Sequence, residues 1–224
     1  MSAERHIQPG DSVVVIGLGR FGGAVATSLM HLGHEVLGID ENAQIVQDWS
    51  DQLTHVVQAD STSAEALKQL GLKDFTHAVV GIGSDLEASV LTVLALEELG
   101  IADIWAKANT AKHGRILERT GAHHVIYPEA AMGERVAHLV TGKMIDFIEF
   151  DDGFAIVKTN APRESHGKTL SESALRSKYG VTVVGVKRRH FDFTYAKADT
   201  FVEPGDILIV SGATALVEKF SALT

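Results

Sequence analysis

With 224 residues, no cysteine and a formal net charge of −9 at pH 7, the chain is excluded from several classes of protein. The length fits one main domain with a smaller companion, and a hydrophobic content of 45% is enough for a well-filled core. The acidic balance and the absence of any basic run argue against a nucleic-acid partner, and without cysteine the chain has neither disulfides nor a thiolate nucleophile.

The N-terminal stretch, MSAERHIQPGDS, is polar. It lacks the apolar core of a signal peptide, and no later stretch approaches the roughly 20 apolar residues that a membrane-spanning helix needs. We therefore expect a cytoplasmic protein, whose role at a membrane would run through a partner.

The first part of the chain alternates strands and helices. Apolar runs bounded by turn residues predict six strands, which are SVVVIG, HEVLGID, THVVQAD, HAVVGIG, IWAKAN and HHVIYP. The predicted helices begin near Gly22, Asn42, Ser63, Asp85 and Thr110. Strands that are apolar throughout need cover on both faces, so the pattern predicts an α/β fold with a Rossmann-type, doubly wound parallel sheet.

The helix predicted from Asp85 to Gly100, DLEASVLTVLALEELG, is apolar on nearly all sides. Such a helix must be buried on more than one side. Two explanations are open at this point: the helix lies between layers of its own domain, or one of its faces packs on a second subunit.

The pattern changes after Tyr127. Pro128 begins a predicted helix, PEAAMGERVAHLVTGKMI, because a missing N–H is tolerated in the first turn. Short strands then follow (DFIEF, AIVKTN, VTVVGVKR and DILIVSG), with one predicted helix from Ser171 to Lys178. We place a domain boundary near Met144, which gives a Rossmann domain over residues 11–143 and a smaller α+β domain over residues 144–224.

A glycine motif follows the first strand directly and opens a helix. Gly17 permits a tight turn, Gly19 lets the backbone approach a pyrophosphate, and Gly22 allows the helix to pack on the strand. Asp40, at the end of the second strand, is placed to accept hydrogen bonds from a ribose diol and to repel a 2′-phosphate. The sequence therefore predicts a site for an adenosine nucleotide, without separating NAD from ATP.

Two further residues near this motif have alternative roles. Asp60 closes the third strand, where its side chain could reach the adenine edge or could cap a helix that begins at Ser61 or Ser63. Arg20 lies inside the glycine loop, where its guanidinium would bind a terminal phosphate or would simply be a solvated loop side chain.

Catalytic motifs are missing from the sequence. None of the three tyrosines has a lysine four residues further on, and the eleven histidines form no His-Glu-x-x-His pattern. Neither a nucleophile elbow nor a Walker-type loop is present. The sequence thus favours a protein that is not an enzyme. The alternative is an NAD-dependent oxidoreductase whose second domain is reduced in size.

The chain resembles the RCK (KTN) family, the cytosolic regulatory subunits of the Ktr and Trk potassium uptake systems. The resemblance rests on the following stretches: VVVIGLGRFG, GIGSDLEASVLTVLALEELG, IWAKANTAKHGRILERTGAHHVIYPEAAMGERVA, GKTLSESALRSKYGVTVVGVKR and VEPGDILIVSG. One nucleotide domain is present, so the chain is more similar to the single-unit Ktr type than to the tandem Trk type.

This resemblance implies an assembly and a set of ligands. Family members form dimers that build an octameric ring beneath a membrane potassium pore subunit, and they bind ATP or ADP. Sensing of NAD and NADH at the same site is the alternative. The implied nucleotide-binding residues are Gly17, Gly19, Arg20, Phe21, Gly22, Asp40, Asp60, Ser61, Lys107 and Glu129.

Glu129 is also implied as a ligand for Mg²⁺ or Ca²⁺ between the nucleotides of paired subunits. Without the resemblance, Glu129 would be interpreted as an acidic residue favoured by the dipole at a helix N-terminus. Some relatives bind cyclic di-AMP in the C-terminal domain. The stretch LSESALRSKYG keeps an arginine and the lysine-tyrosine-glycine turn but lacks the aliphatic residues of that site, so this ligand is left open.

Overall fold

The computed structural model describes residues 11–150 and 153–224. The segment MSAERHIQPG, which bears on the prediction about a signal peptide, lies outside the described residues. The chain divides into two compact units, the first ending at Glu129 and the second comprising Ala130–Thr224. The domain boundary near Met144, drawn from the change in sequence pattern, stays a prediction.

The first unit is built on a six-stranded parallel sheet with the strand order β3-β2-β1-β4-β5-β6. Its strands are β1 (Ser12–Ile16), β2 (Glu35–Asp40), β3 (His55–Gln58), β4 (His77–Val80), β5 (Asp103–Lys107) and β6 (His124–Ile126). The chain order reverses between β1 and β4, which is the position where doubly wound folds bind ligands. The predicted Rossmann-type fold is confirmed.

Five helices connect these strands. They are α1 (Arg20–His31), α2 (Ala43–Trp49), α3 (Ala64–Gln69), α4 (Leu86–Glu98) and α5 (Ala111–Thr120), with a 3₁₀ turn at Leu72–Asp74. Four of the five predicted starting residues are the N-caps, and each accepts a backbone N–H through its side chain; these are Asn42, Ser63, Asp85 and Thr110. Helix α1 begins two residues earlier than predicted, because Gly19 has extended backbone angles and serves as its N-cap.

The exposed face of α4 bears on how this apolar helix is covered. Val93 and Leu96 are completely buried against the sheet, whereas Leu86, Leu91 and Leu94 are exposed. The helix is therefore not enclosed on all sides by its own domain. Packing of its exposed face on a second subunit stays a prediction.

The second unit begins within α6 (Pro128–Thr141), a helix that starts at the predicted proline. Its main sheet has five antiparallel strands in the order β11-β10-β13-β8-β7, and β12 and β9 form a small ribbon. The strands are β7 (Met144–Phe150), β8 (Phe154–Asn160), β9 (Lys168–Thr169), β10 (Thr182–Lys187), β11 (Phe193–Tyr195), β12 (Phe201–Val202) and β13 (Ile207–Ala213). The predicted smaller α+β domain is confirmed.

The helices that follow α6 differ from the prediction. They are α7 (Leu170–Ser173), α8 (Leu175–Tyr179) and α9 (Thr214–Ser221), with a 3₁₀ turn at Arg163–Ser165. The single helix predicted from Ser171 to Lys178 is wrong, because Ala174 has a left-handed backbone with φ of +50° and separates α7 from α8. Helix α9 and the short strands β9, β11 and β12 were not predicted from the sequence.

Helix length bears on membrane insertion. Helix α6 has 14 residues and α4 has 13, whereas a spanning helix needs about 20. Within the part of the chain that the structure describes, none of the helices combines the length and the apolar character required to cross a bilayer.

Candidate nucleotide-binding site

A pocket opens at the carboxyl ends of the parallel strands, beside the switch between β1 and β4. Its walls come from the loops that follow β1, β2, β3 and β4. Of the predicted nucleotide-binding residues, it is lined by Gly17, Gly19, Asp40, Asp60 and Ser61. The observed pocket therefore lies where the strand order predicts a ligand.

Two glycines of the loop are required by the geometry of the chain itself. Gly17 has a φ of +84°, which side chains other than glycine rarely adopt. A Cβ atom on Gly22 would overlap the carbonyl oxygen of Gly17. By contrast, a Cβ atom on Gly19 would have no protein atom within 4 Å. The protein thus leaves open space at Gly19, a residue that lines the pocket.

The N-terminus of α1 offers free backbone donors. Its N-cap is Gly19, which has no side chain to accept an N–H, and its first turn contains no acidic residue. Helices α2 to α5 all have a side-chain cap. The first N–H groups of α1 and its positive dipole end are consequently available for an anion such as phosphate.

Asp40 is held in a fixed orientation at the end of β2. Its Oδ2 accepts the N–H of Leu18 at 2.8 Å, and its Oδ1 accepts the N–H of Asn42 at 2.9 Å. An ionised carboxylate has about four lone-pair positions, so two remain for further donors. Because Asp40 also lines the pocket, these positions suit a pair of ribose hydroxyls.

Asp60 and Ser61 follow β3 and also line the pocket. Asp60 Oδ1 accepts the N–H of Thr62 at 2.9 Å and its hydroxyl at 2.6 Å, and these two hydrogen bonds lower the pKa of Asp60. The N-cap of α3 is Ser63, so the alternative role of Asp60 as that cap is wrong. The buried Ser61 hydroxyl lies 2.8 Å from that of Thr92, which fastens this loop to α4.

The other predicted residues gather beside the glycine loop. Lys107 Nζ lies 2.6 Å from Oε1 of Glu129 and 5.8 Å from the centroid of the Phe21 ring. The hydrogen bond from Lys107 is the main cause that lowers the pKa of Glu129, and the charge of Arg20 contributes further. The structure therefore groups Lys107 and Glu129 beside the ring of Phe21 and within the electrostatic influence of Arg20, although Glu129 is 22 positions from Lys107 in the sequence.

A second pair of glycines, which was not predicted to be functional, joins this group to the pocket. A Cβ atom on Gly83 would lie 3.1 Å from both Lys107 Nζ and Asn109 Oδ1, and the Asn109 amide donates to the Gly83 carbonyl. A Cβ atom on Gly81 would come within 2.9 Å of the Gly17 carbonyl oxygen. The repeated glycine in GIGS, after a predicted strand, was a signal for this second close approach.

Comparison with known proteins assigns the chain to a family. A model of the TrkA-N domain matches residues 13–128, and a model of the TrkA-C domain matches residues 154–224. The Ktr system potassium uptake protein C of Bacillus subtilis (strain 168) is 37% identical over 92% of this chain and 94% of its own length. The Ktr system potassium uptake protein A of Vibrio alginolyticus is 37% identical over 88% of this chain and 90% of its own length.

Solved structures show the same fold. The crystal structure of the GsuK RCK domain aligns with a TM-score of 0.66 and 19% identity over 96% of this chain. The GsuK channel bound to NAD aligns with a TM-score of 0.64 and 18% identity. This chain spans 48% and 39% of the lengths of those two chains. The resemblance to RCK proteins is thus confirmed, and the chain belongs to the family of TrkA-N and TrkA-C domain proteins that includes the Ktr potassium uptake proteins.

Proposed function

We propose that this chain is a nucleotide-sensing regulatory subunit of a potassium uptake system. It binds ATP or ADP in the pocket beside β1 and β4 and passes a conformational change to a membrane pore subunit. Relatives that match nearly the whole chain are Ktr system potassium uptake proteins, which supports the transport role. The observation that carries the nucleotide role is the uncapped N-terminus of α1, directly beside the pocket and Asp40.

Each part of the nucleotide has a proposed partner. The phosphates bind over Gly19 and the free N–H groups of α1, because an anion is favoured at this end of a helix. The ribose hydroxyls bind to the two remaining acceptor positions of Asp40. Arg20, exposed in the first turn of α1, binds the terminal phosphate, and Asp60 lies at the adenine side of the pocket.

A divalent cation belongs to this proposal. Glu129 offers an exposed, ionised carboxylate close to the glycine loop, and carboxylate and phosphate oxygens are the ligands that Mg²⁺ and Ca²⁺ prefer. In the structure, the ammonium group of Lys107 compensates the charge of this carboxylate. A cation bound between phosphate and Glu129 would compete with that lysine.

Assembly is proposed from the family together with α4. Leu86, Leu91 and Leu94 expose apolar surface, which favours packing against a second copy of the chain. We propose dimers that build an octameric ring, located on the cytoplasmic face of the membrane and docked to the pore subunit. Light scattering that gives a 24.0 kDa particle at micromolar concentration would contradict this assembly.

Two experiments test the function. Deletion of the gene is expected to slow growth at limiting potassium, and restoring the gene is expected to recover it. Calorimetric titration of the purified chain with ATP, ADP, NAD and NADH is expected to show tighter binding of the adenosine phosphates. Tight NAD binding without turnover would instead support a redox sensor, and turnover of NADH would support the oxidoreductase.

A further inference from the structure

Three side chains of metal-ligating type meet in the second unit, separately from the nucleotide pocket. Glu134 and His138 lie four residues apart on α6, so they share one face of that helix. Glu149 lies near the end of β7. One ligand atom of each residue lies within 4.8 Å of the others. Two ligands at 2.0 to 2.2 Å from a tetrahedral zinc ion are about 3.3 to 3.6 Å apart, so side-chain movements of roughly 1 Å would complete the site.

Packing fixes the ring of His138. Phe147 is buried on the same face of β7 as Glu149, because alternate residues of a strand share a face. The His138 and Phe147 rings stack with centroids 4.1 Å apart and an interplanar angle of 22°. The imidazole is therefore held in place before any ion binds.

Helix α9 supplies a second layer of hydrogen bonds. Glu218 Oε1 lies 2.8 Å from Nδ1 of His138, and the Thr214 hydroxyl donates to Oε1 of Glu149 at 2.7 Å. A carboxylate on one nitrogen of a histidine fixes the tautomer and leaves the other nitrogen free, which is the usual arrangement around a metal-binding histidine. Thr214 and Glu218 are also four residues apart, so one face of α9 orients both His138 and Glu149.

We propose that Glu134, His138 and Glu149 form a binding site for a divalent cation of the zinc class, oriented by Glu218 and Thr214. One imidazole nitrogen with two carboxylates suits Zn²⁺, whereas Ca²⁺ and Mg²⁺ prefer oxygen ligands alone. Three protein ligands leave a fourth position for water. A bound ion would tie α6 to β7 and stiffen the beginning of the second unit.

The test is titration of the full chain with zinc after EDTA treatment and buffer exchange. We expect one Zn²⁺ per chain. His138→Gln and Glu149→Gln are each expected to weaken binding more than tenfold, and Glu218→Gln about 10- to 100-fold. The matched controls are His31→Gln and Glu98→Gln, which replace exposed residues of the same types on α1 and α4. Both are expected to bind zinc like the wild-type chain.

Two further measurements separate this site from the nucleotide site and from unfolding. The Glu129→Gln variant is expected to bind zinc as the wild-type chain does. Zinc is expected to raise the thermal unfolding midpoint of the wild-type chain but not that of the Glu149→Gln variant. Circular dichroism is the check that the variants are folded. Glu149 is exposed, so its replacement is expected to leave the core intact. The proposal would be overturned if the wild-type chain takes up no zinc. It would also be overturned if the folded His138→Gln and Glu149→Gln variants bind zinc with unchanged affinity.

Discussion

The ammonium group of Lys107 lies 2.6 Å from Oε1 of Glu129, which joins the end of β5 to the first turn of α6. The lysine side chain is 11% exposed and that of the glutamate is 65% exposed. The lysine therefore holds an accessible carboxylate in its ionised form, with a lowered pKa, beside the glycine loop. Any cation that binds to this carboxylate must share it with the lysine.

Glu129→Gln is expected to remove the dependence of ATP affinity on Mg²⁺ or Ca²⁺. Charge-assisted interactions contribute about 1.5 to 3 kcal/mol, so the loss should be on the order of tenfold or more in the presence of the cation. Titration with ATP in cation and in EDTA measures the effect, with Glu98→Gln as the control. If EDTA and Glu129→Gln both leave ATP affinity unchanged, Glu129 is only a helix-terminal charge.

Arg20→Ala is expected to distinguish the nucleotides. ATP should lose about 10- to 100-fold in affinity, ADP less and NAD least, because a pyrophosphate diester has no terminal phosphate for the guanidinium. Arg119→Ala, which removes an exposed arginine from α5, is the control. Equal losses for all three ligands would indicate that Arg20 only shapes the loop.

Two glycines of one motif should respond differently to the same substitution. Gly22→Ala places a methyl group on the Gly17 carbonyl oxygen, so the loop must shift and both stability and nucleotide binding should fall. Gly19→Ala meets no protein atom within 4 Å, so the free energy of unfolding should change by less than about 1 kcal/mol while nucleotide affinity drops. Urea unfolding and ATP titration of both variants measure the contrast. A Gly19→Ala protein with normal ATP affinity would contradict the placement of the phosphates.

The C-terminal domain contains an ion pair whose stabilising effect depends on pH. Burial would raise the pKa of Asp206, which is 1% exposed, but hydrogen bonds from Arg188 at 2.8 and 2.9 Å and from the Glu203 N–H outweigh burial and lower it. A lowered folded-state pKa gives stabilisation that is complete above the ordinary value of 3.8 and is lost as the pH falls through the folded-state value.

Asp206→Asn should therefore reduce the free energy of unfolding by about 1.5 to 3 kcal/mol at neutral pH and flatten its decline below about pH 4. Chemical denaturation at a series of pH values measures both effects. Asp199→Asn, an exposed aspartate of the same segment, is the control. This explanation would be contradicted if the free energy of unfolding declines with falling pH equally in the Asp206→Asn protein and in the wild-type chain.

Local chemistry explains which parts of the fold could be predicted. Asn42, Ser63, Asp85 and Thr110 mark helix starts because a short polar side chain satisfies free backbone donors within its own segment. The break at Ala174 could not be predicted in this way, since alanine favours helix and its left-handed backbone is imposed by the surrounding structure.

The candidate site divides in the same way. Gly17, Gly22 and Asp40 could be predicted from the spacing of one sequence motif, whereas Lys107 and Glu129 were implied as site residues only by family resemblance, and their pairing was not predicted. Likewise, Thr214 reaches Glu149 across 65 positions of the chain, and no local pattern indicates such a contact.

The position of Asp40 has a consequence for how a bound ribose would be sensed. Asp40 lies at the end of β2, and its carboxylate accepts the backbone N–H of Leu18 in the glycine loop. This hydrogen bond connects the two segments through a side chain. A ribose that draws on the same oxygen would weaken that connection. In the proposed nucleotide site, binding of the sugar and stiffness of the glycine loop would therefore be coupled through a single carboxylate, so a nucleoside without phosphate is also expected to alter the loop.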